Sequence, residues 1–164
     1  MPDLYSVLEQ LEIGYTKYEH EPVFTCEAAL AAVPNAESVQ TKNLFLRDKP
    51  GRRHFLLVTT CEKAVDIKAF ADTIDAGHLS FGSPERLQKH LGLTPGSVTL
   101  LGLMNDPSHA VELYVDADVW SREWWNCHPL INTATLVLSR GAIEKFLAHT
   151  GHTPAVVALS ARSA

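Results

Sequence analysis

The chain has 164 residues, 46% of them hydrophobic and 20% charged, and a formal net charge of −5. That length supports one core of ordinary size and leaves too little for two, so a single domain over residues 1–164 is expected. No apolar run reaches the roughly 18–20 residues that span a bilayer, and the acidic balance argues against a protein that coats nucleic acid by neutralising phosphates.

The opening Met1-Pro2-Asp3-Leu4 lacks a basic stretch followed by an apolar one, so no secretory signal is read and a cytoplasmic location is expected. Asp3 precedes Leu4, Val7, Leu8 and Leu11, a helical stripe that Gly14 would close. A short strand is expected over Tyr15–His20. Thr25 then caps a helix over Cys26–Ala32, which Val33-Pro34-Asn35 ends because the residue before proline avoids the helical region. Thr41–Arg47 and His54–Thr60 flank Asp48-Lys49-Pro50-Gly51, the turn chemistry of a β-hairpin, with Lys42 and Asn43 at the start of its first strand. Asp66 caps Ile67–Ile74, and Ser83-Pro84-Glu85 opens a helix that runs to Leu91 and stops at Gly92. Val98–Leu103, Ala110–Val115 and Thr133–Leu138 read as strands, and Ser139 caps a helix through His149 that ends at Gly151. Helices and strands alternate irregularly around a hairpin. This predicts an α+β fold with a mixed, mainly antiparallel sheet flanked by helices.

Charge is uneven along the chain. Residues 1–37 hold seven acidic side chains against Lys17 alone, whereas Lys42, Arg47, Lys49, Arg52 and Arg53 crowd a dozen residues with only Asp48 opposing. A local basic patch on an acidic body suits a limited anionic contact, and equally a solvated hairpin tip. Cys26, Cys61 and Cys127 are too scattered for a disulfide framework and form no C-x-x-C pair, so reduced thiols are expected, without a zinc site or a cysteine nucleophile. Trp120, Trp124 and Trp125 stand at helical spacing and read as partly buried core.

Three polar elements lie beside apolar runs. Lys42 supplies a cation at the edge of a packed strand. Thr94-Pro95-Gly96-Ser97-Val98-Thr99 pairs a fixed φ with an unhindered glycine, which lets successive amides face one concavity. Pro129 forces His128 into an extended conformation, and Asn132 can fasten the same loop. Taken singly, each admits a plainer role: a solvated lysine, a structural turn, a satisfied histidine. No G-x-S-x-G, H-E-x-x-H, P-loop or G-x-G-x-x-G is present, so neither cofactor nor metal is expected. What remains suits cleavage of an already activated ester.

Thr41-Lys42-Asn43-Leu44-Phe45-Leu46-Arg47-Asp48, Leu79-Ser80-Phe81, Leu91-Gly92-Leu93-Thr94-Pro95-Gly96-Ser97-Val98-Thr99, Asn105-Asp106 and His128-Pro129-Leu130-Ile131-Asn132-Thr133 together resemble the YbaK/prolyl-tRNA-synthetase-associated domain family, over about Val23 to Pro154. Within that family the chain looks most like the free-standing, ProX-type alanyl-tRNA(Pro) deacylases. The resemblance implies hydrolysis in trans of alanine wrongly esterified to tRNA(Pro), a fidelity step. Such a sieve is needed because rejecting a smaller side chain by binding alone yields only about 1–3 kcal/mol.

It assigns Lys42, with Asn43 and Arg47, to the tRNA acceptor end. It implies that Gly96, Ser97, Val98 and Thr99 stabilise the oxyanion and that His128 orients ribose or water; beside these, Asn132 is expected to bind substrate, and Val23, Phe24 and Phe45 are candidate pocket walls. The expected partners are the acceptor end of aminoacyl-tRNA(Pro) and, transiently, prolyl-tRNA synthetase, with no DNA or membrane partner and a monomeric state. Family members commonly end the loop with proline where this chain has Leu100, which restores an N–H and frees φ. Two alternatives stay open: a deacylase for cysteinyl-tRNA(Pro) or another small aminoacyl-tRNA, and a non-catalytic tRNA- or synthetase-binding module.

Overall fold

A computed structural model of the chain describes residues 3–34 and 37–162. Met1, Pro2 and Asn35, on which the reading of the chain start and of one helix stop partly rested, lie outside the described residues. The strands are β1 (Thr16–Glu19), β2 (Ser38–Asp48), β3 (His54–Thr60), β4 (Leu79–Phe81), β5 (Val111–Asp116), β6 (Trp124–Cys127), β7 (Ala134–Ser139) and β8 (Ala155–Val157). They form one sheet in the order β1-β7-β6-β2-β3-β5-β8, with β4 also on β2. The β1–β7, β2–β3, β2–β4 and β6–β7 pairs are antiparallel, and β2–β6, β3–β5 and β5–β8 are parallel. The mixed, mainly antiparallel sheet is therefore the expected one.

The helices are α1 (Leu4–Gln10), α2 (Cys26–Ala32), α3 (Ile67–Thr73), α4 (Pro84–Leu91), α5 (Ala117–Trp120) and α6 (Arg140–Thr150). Asp3, Thr25, Asp66, Ser83 and Ser139 each accept the N–H three residues on, so the expected caps form. Gly92 and Gly151 take the left-handed conformation at their helix ends. The stop of α1 differs, because Glu12, not Gly14, turns left-handed there, at φ 57°. Among the described residues no helix is long and apolar enough to cross a membrane.

Alternation along β3 divides the core. Leu56 and Val58 face the larger cluster with Leu8, Trp125 and Phe146, whereas Phe55 and Leu57 face a second one with Leu46 and Phe70. A strand buried on both faces is central, as its unbroken apolar run requires. Two expectations fail. Val98–Leu103 is not a strand: a 3₁₀ turn spans Leu100–Asn105, with the Thr99 hydroxyl accepting the Leu101 N–H. Its leucines are buried, and Gly102 lets Leu93 pack where a Cβ would collide. The tryptophans do not share a helix either, since Trp120 ends α5 while Trp124 and Trp125 belong to β6. Trp125 is fully buried and Trp124 exposed.

β2 positions the site. It pairs with β6 through Ser38–Gln40 and with β4 through Leu46–Asp48, so from Thr41 to Leu44 it has β3 on one side and, among the described residues, no strand on the other. Lys42 and Asn43 lie within this one-sided stretch, in mid-strand and not at a strand start.

Farther along the hairpin, His54 is buried, stacked on Phe45 with ring centres 5.8 Å apart, and accepts a hydrogen bond from Arg86 Nη1 at 3.0 Å. Burial, then the neighbouring His90 and Arg86, lowers its pKa from 6.5 to about 4. Between those values the unfolded chain binds a proton that the folded chain refuses. Stability is therefore full above pH 6.5 and falls as pH drops through the window, by roughly 2–3 kcal/mol. Urea midpoints at pH 7.5 and 5 test this, and His54→Leu is expected to flatten the difference.

Candidate active site

The one-sided stretch of β2 borders a cavity of about 240 Å³, which the segment leading into α2 faces from across the opening. Lys42 lines it. The ammonium donates to the Lys63 carbonyl at 2.5 Å, and burial, with Arg162 adding, pushes its pKa below the usual lysine value. Lys63 is itself fixed, since its own ammonium reaches Asp116 at 2.7 Å and Asp118 at 2.8 Å. Asn43 lines the cavity as well, and its Oδ1 is buried without a hydrogen-bond partner among the described residues.

The glycine loop contributes less than the sequence reading allotted to it. Gly96 and Val98 line the cavity, and among the described residues no acceptor takes their N–H groups. Gly96 has φ +91°, a conformation that strains any other residue, and it packs against Phe24 and Asn132. Ser97 and Thr99 are buried away from the cavity; the Ser97 N–H closes a turn onto Thr94 O at 3.0 Å. An unbroken run of amides facing one ligand is thereby corrected to two alternate residues, as the extended backbone at Thr99 leads into the 3₁₀ turn.

His128 reaches the cavity with its ring fixed by Nδ1–H donating to the Ala134 carbonyl at 3.1 Å. That bond leaves Nε2 as an acceptor. Burial lowers the pKa of the ring, outweighing the opposing carbonyl, so the imidazole is uncharged at neutral pH. Asn132 does not line the cavity; its Nδ2 donates to Val23 O at 3.3 Å and so ties the β6–β7 loop to the wall formed by Val23 and Phe24.

Two further expected site residues, besides Ser97, Thr99 and Asn132, do not line the cavity. Phe45 lies three positions from Lys42 and hence on the opposite face of β2, 4% exposed, against His54 and Gly82. Arg47 lies about 17 Å along the strand from Lys42, and its guanidinium bonds the Asp48 and Lys49 carbonyls in the hairpin turn. The cysteine reading also changes. Cys26 and Cys61 form a disulfide at a Cα separation of 5.4 Å, because the β2–β3 hairpin brings Cys61 back beside α2, a proximity that a sequence separation of 35 conceals. Both line the cavity. Cys127 is free, buried, and pushed up to about 12 by burial, so it holds its proton.

Sequence reasoning also missed Gln40, which lines the cavity and accepts a bond from the buried Asn126 amide at 3.0 Å. Its partner Asn126, the one amide in the otherwise apolar Trp124–Cys127 strand, was the available signal.

Leu100 begins the 3₁₀ turn, where proline is tolerated, and extended Thr99 already has the backbone that a following proline needs. Leu100→Pro is thus expected to keep the loop path but remove a buried leucine, lowering the thermal midpoint by roughly 3–6 °C while amino-acid release stays within about tenfold. Thermal denaturation alongside a deacylation assay checks both.

A small solvent-open cavity lined by a held cation, by two loop residues whose N–H groups have no acceptor among the described residues, and by an uncharged imidazole is the equipment of an ester-cleaving site that meets an anionic carrier, and the chain falls in the class of aminoacyl-ester editing enzymes. Residues 20–146 match the model of the aminoacyl-tRNA editing domain, and the chain belongs to that family. It is 41% identical over 147 residues to the prolyl-tRNA editing protein ProX of Acetoanaerobium sticklandii, covering 89% of each. It is 31% identical over 157 residues to the prolyl-tRNA synthetase associated domain-containing protein 1 of Danio rerio, covering 94% of this chain and 85% of that one. A solved structure described as that of a candidate trans-editing enzyme for prolyl tRNA synthetase matches with a TM-score of 0.70 at 19% identity over 99% of both chains, a likeness of fold.

Proposed function

We propose that this chain, acting as one cytoplasmic domain and as a monomer, hydrolyses the ester of alanine mischarged onto tRNA(Pro), with transient contact to prolyl-tRNA synthetase. The observation that carries this reading is the convergence of Lys42, Gly96, Val98 and uncharged His128 on one small cavity. Similarity to a prolyl-tRNA editing protein over most of the chain supports the choice of tRNA.

Lys42 holds the acceptor end, with its ammonium kept in place by the Lys63 carbonyl. The Asn43 oxygen, buried and unpartnered, takes a donor from the aminoacyl group or the terminal ribose. Exposed Phe24, at the cavity rim, offers a face to the terminal base. Water, oriented by His128 Nε2 and by the 2′-hydroxyl of the terminal ribose, attacks the ester carbon. The negative charge that grows on the carbonyl oxygen is met by the Gly96 and Val98 N–H groups. Collapse breaks the bond to the ribose oxygen, which takes up the proton that the attacking water gave up, and releases alanine and a free tRNA end.

The test is release of labelled amino acid from Ala-tRNA(Pro), Cys-tRNA(Pro) and Pro-tRNA(Pro). Rapid loss of alanine with proline retained is expected. Preferential loss of cysteine would replace the substrate, and no turnover on any of them would leave a binding module.

A further inference from the structure

The cavity has a fixed wall and a weakly held one. On the fixed side, the Cys61 N–H donates to Gln40 O at 2.9 Å, and the Lys63 carbonyl holds Lys42 while its ammonium is locked onto Asp116. On the other side stand Val23, Phe24 and α2. Within α2 only Ala29 is buried, Leu30 is 42% exposed, and Phe24 just before it is 79% exposed. A seven-residue helix has little stability of its own, and this one buries almost nothing to compensate. Among the described residues, besides Ala29, the following Val33 and the contact of Phe24 with Gly96, the wall is attached by the Asn132 bond to Val23 O and by the Cys26–Cys61 disulfide. The covalent bond thus spans the two walls of the cavity itself.

We propose that the Cys26–Cys61 disulfide sets the width of the amino-acid pocket, and that its reduction releases the α2 wall and relaxes discrimination against a larger amino acid. The proposal rests on the deacylase reading. Both cysteines are half-buried at an open cavity, within reach of a small dithiol. A dithiol's thiolate attacks one sulfur to give a mixed disulfide, and its second thiol displaces that link. Two electrons pass from the dithiol, which becomes a disulfide, to Cys26 and Cys61, which leave as two protonated thiols. A disulfide oxidant such as oxidised glutathione reverses the exchange. Disulfides of reducing compartments are mostly transient or redox-sensing, which suits a bond placed at a specificity wall rather than in the core.

The experiment uses one wild-type preparation, oxidised with oxidised glutathione or reduced with dithiothreitol, with thiols counted by alkylation and mass. The kcat/KM ratio of Ala-tRNA(Pro) over Pro-tRNA(Pro) is expected to fall about tenfold on reduction and to recover on reoxidation. Cys26→Ser and Cys61→Ser should show the lower ratio under both conditions. In parallel, hydrogen exchange over residues 22–32 should speed at least tenfold on reduction. An unchanged ratio between two forms of proven thiol count overturns the proposal, as does finding both thiols free after oxidised glutathione. If neither tRNA is deacylated, the deacylase reading fails, and the exchange rates still decide whether the bond pins the wall: unchanged exchange refutes it.

Discussion

Replacing Lys42 with alanine is expected to slow release of alanine from Ala-tRNA(Pro) by at least about a hundredfold, the scale of losing one preorganised charged donor. The fold should survive. Burial already disfavours the Lys42 charge, and what is lost in the protein is one hydrogen bond to the Lys63 carbonyl, so the thermal midpoint should move by only a few degrees. Single-turnover deacylation together with circular dichroism separates the two effects, and an unchanged rate in a folded variant would remove Lys42 from the site. The wild type carries a related signature. Because the lysine's pKa is lowered, its charge disappears at less alkaline pH than an exposed lysine's would, and the rate should decline as pH rises through that lowered value.

Asp116→Ala should produce the largest loss of stability. Asp116 is fully buried in contact with the Thr59 hydroxyl, the Lys63 ammonium and the Asp118 N–H. Burial alone would depress the Lys63 pKa, yet the two carboxylates more than offset it and raise it. Deleting Asp116 leaves the Thr59 hydroxyl without its acceptor and strips the largely buried Lys63 ammonium of its buried carboxylate, with Asp118 and the Leu159 carbonyl remaining, which costs about 3 kcal/mol, or roughly 6–12 °C in thermal midpoint at this size. Because Lys63 also presents the carbonyl that holds Lys42, deacylation should fall about tenfold even at temperatures where the variant stays folded. Thermal melts and activity at 15 °C measure the two consequences independently.

Local chemistry was legible in the sequence. A cap needs only a side-chain oxygen and an N–H three residues on, which is why Asp3, Thr25, Asp66, Ser83 and Ser139 could be read directly. The hairpin and the loop motifs of the site were likewise local. The 3₁₀ turn was not, since a fully buried run such as Leu100–Leu103 shows no face that periodicity can detect. The disulfide depended on long-range return of the chain. Phe45 was readable after all, because three positions along a strand reverse the face relative to Lys42. Arg47 shares a charge run with Lys42 but is separated from it by strand length, which a one-dimensional cluster hides.

The break in pairing along β2 has a consequence for solubility. A central strand that opens its flank would ordinarily invite another molecule's strand to add there, the route to edge-to-edge aggregation. Here β6 and β4 bracket the opening from Thr41 to Leu44, leaving a notch about 13 Å long. A foreign strand of usual length collides with one bracket or the other. The protein therefore offers main chain to a compact ligand while denying it to aggregation.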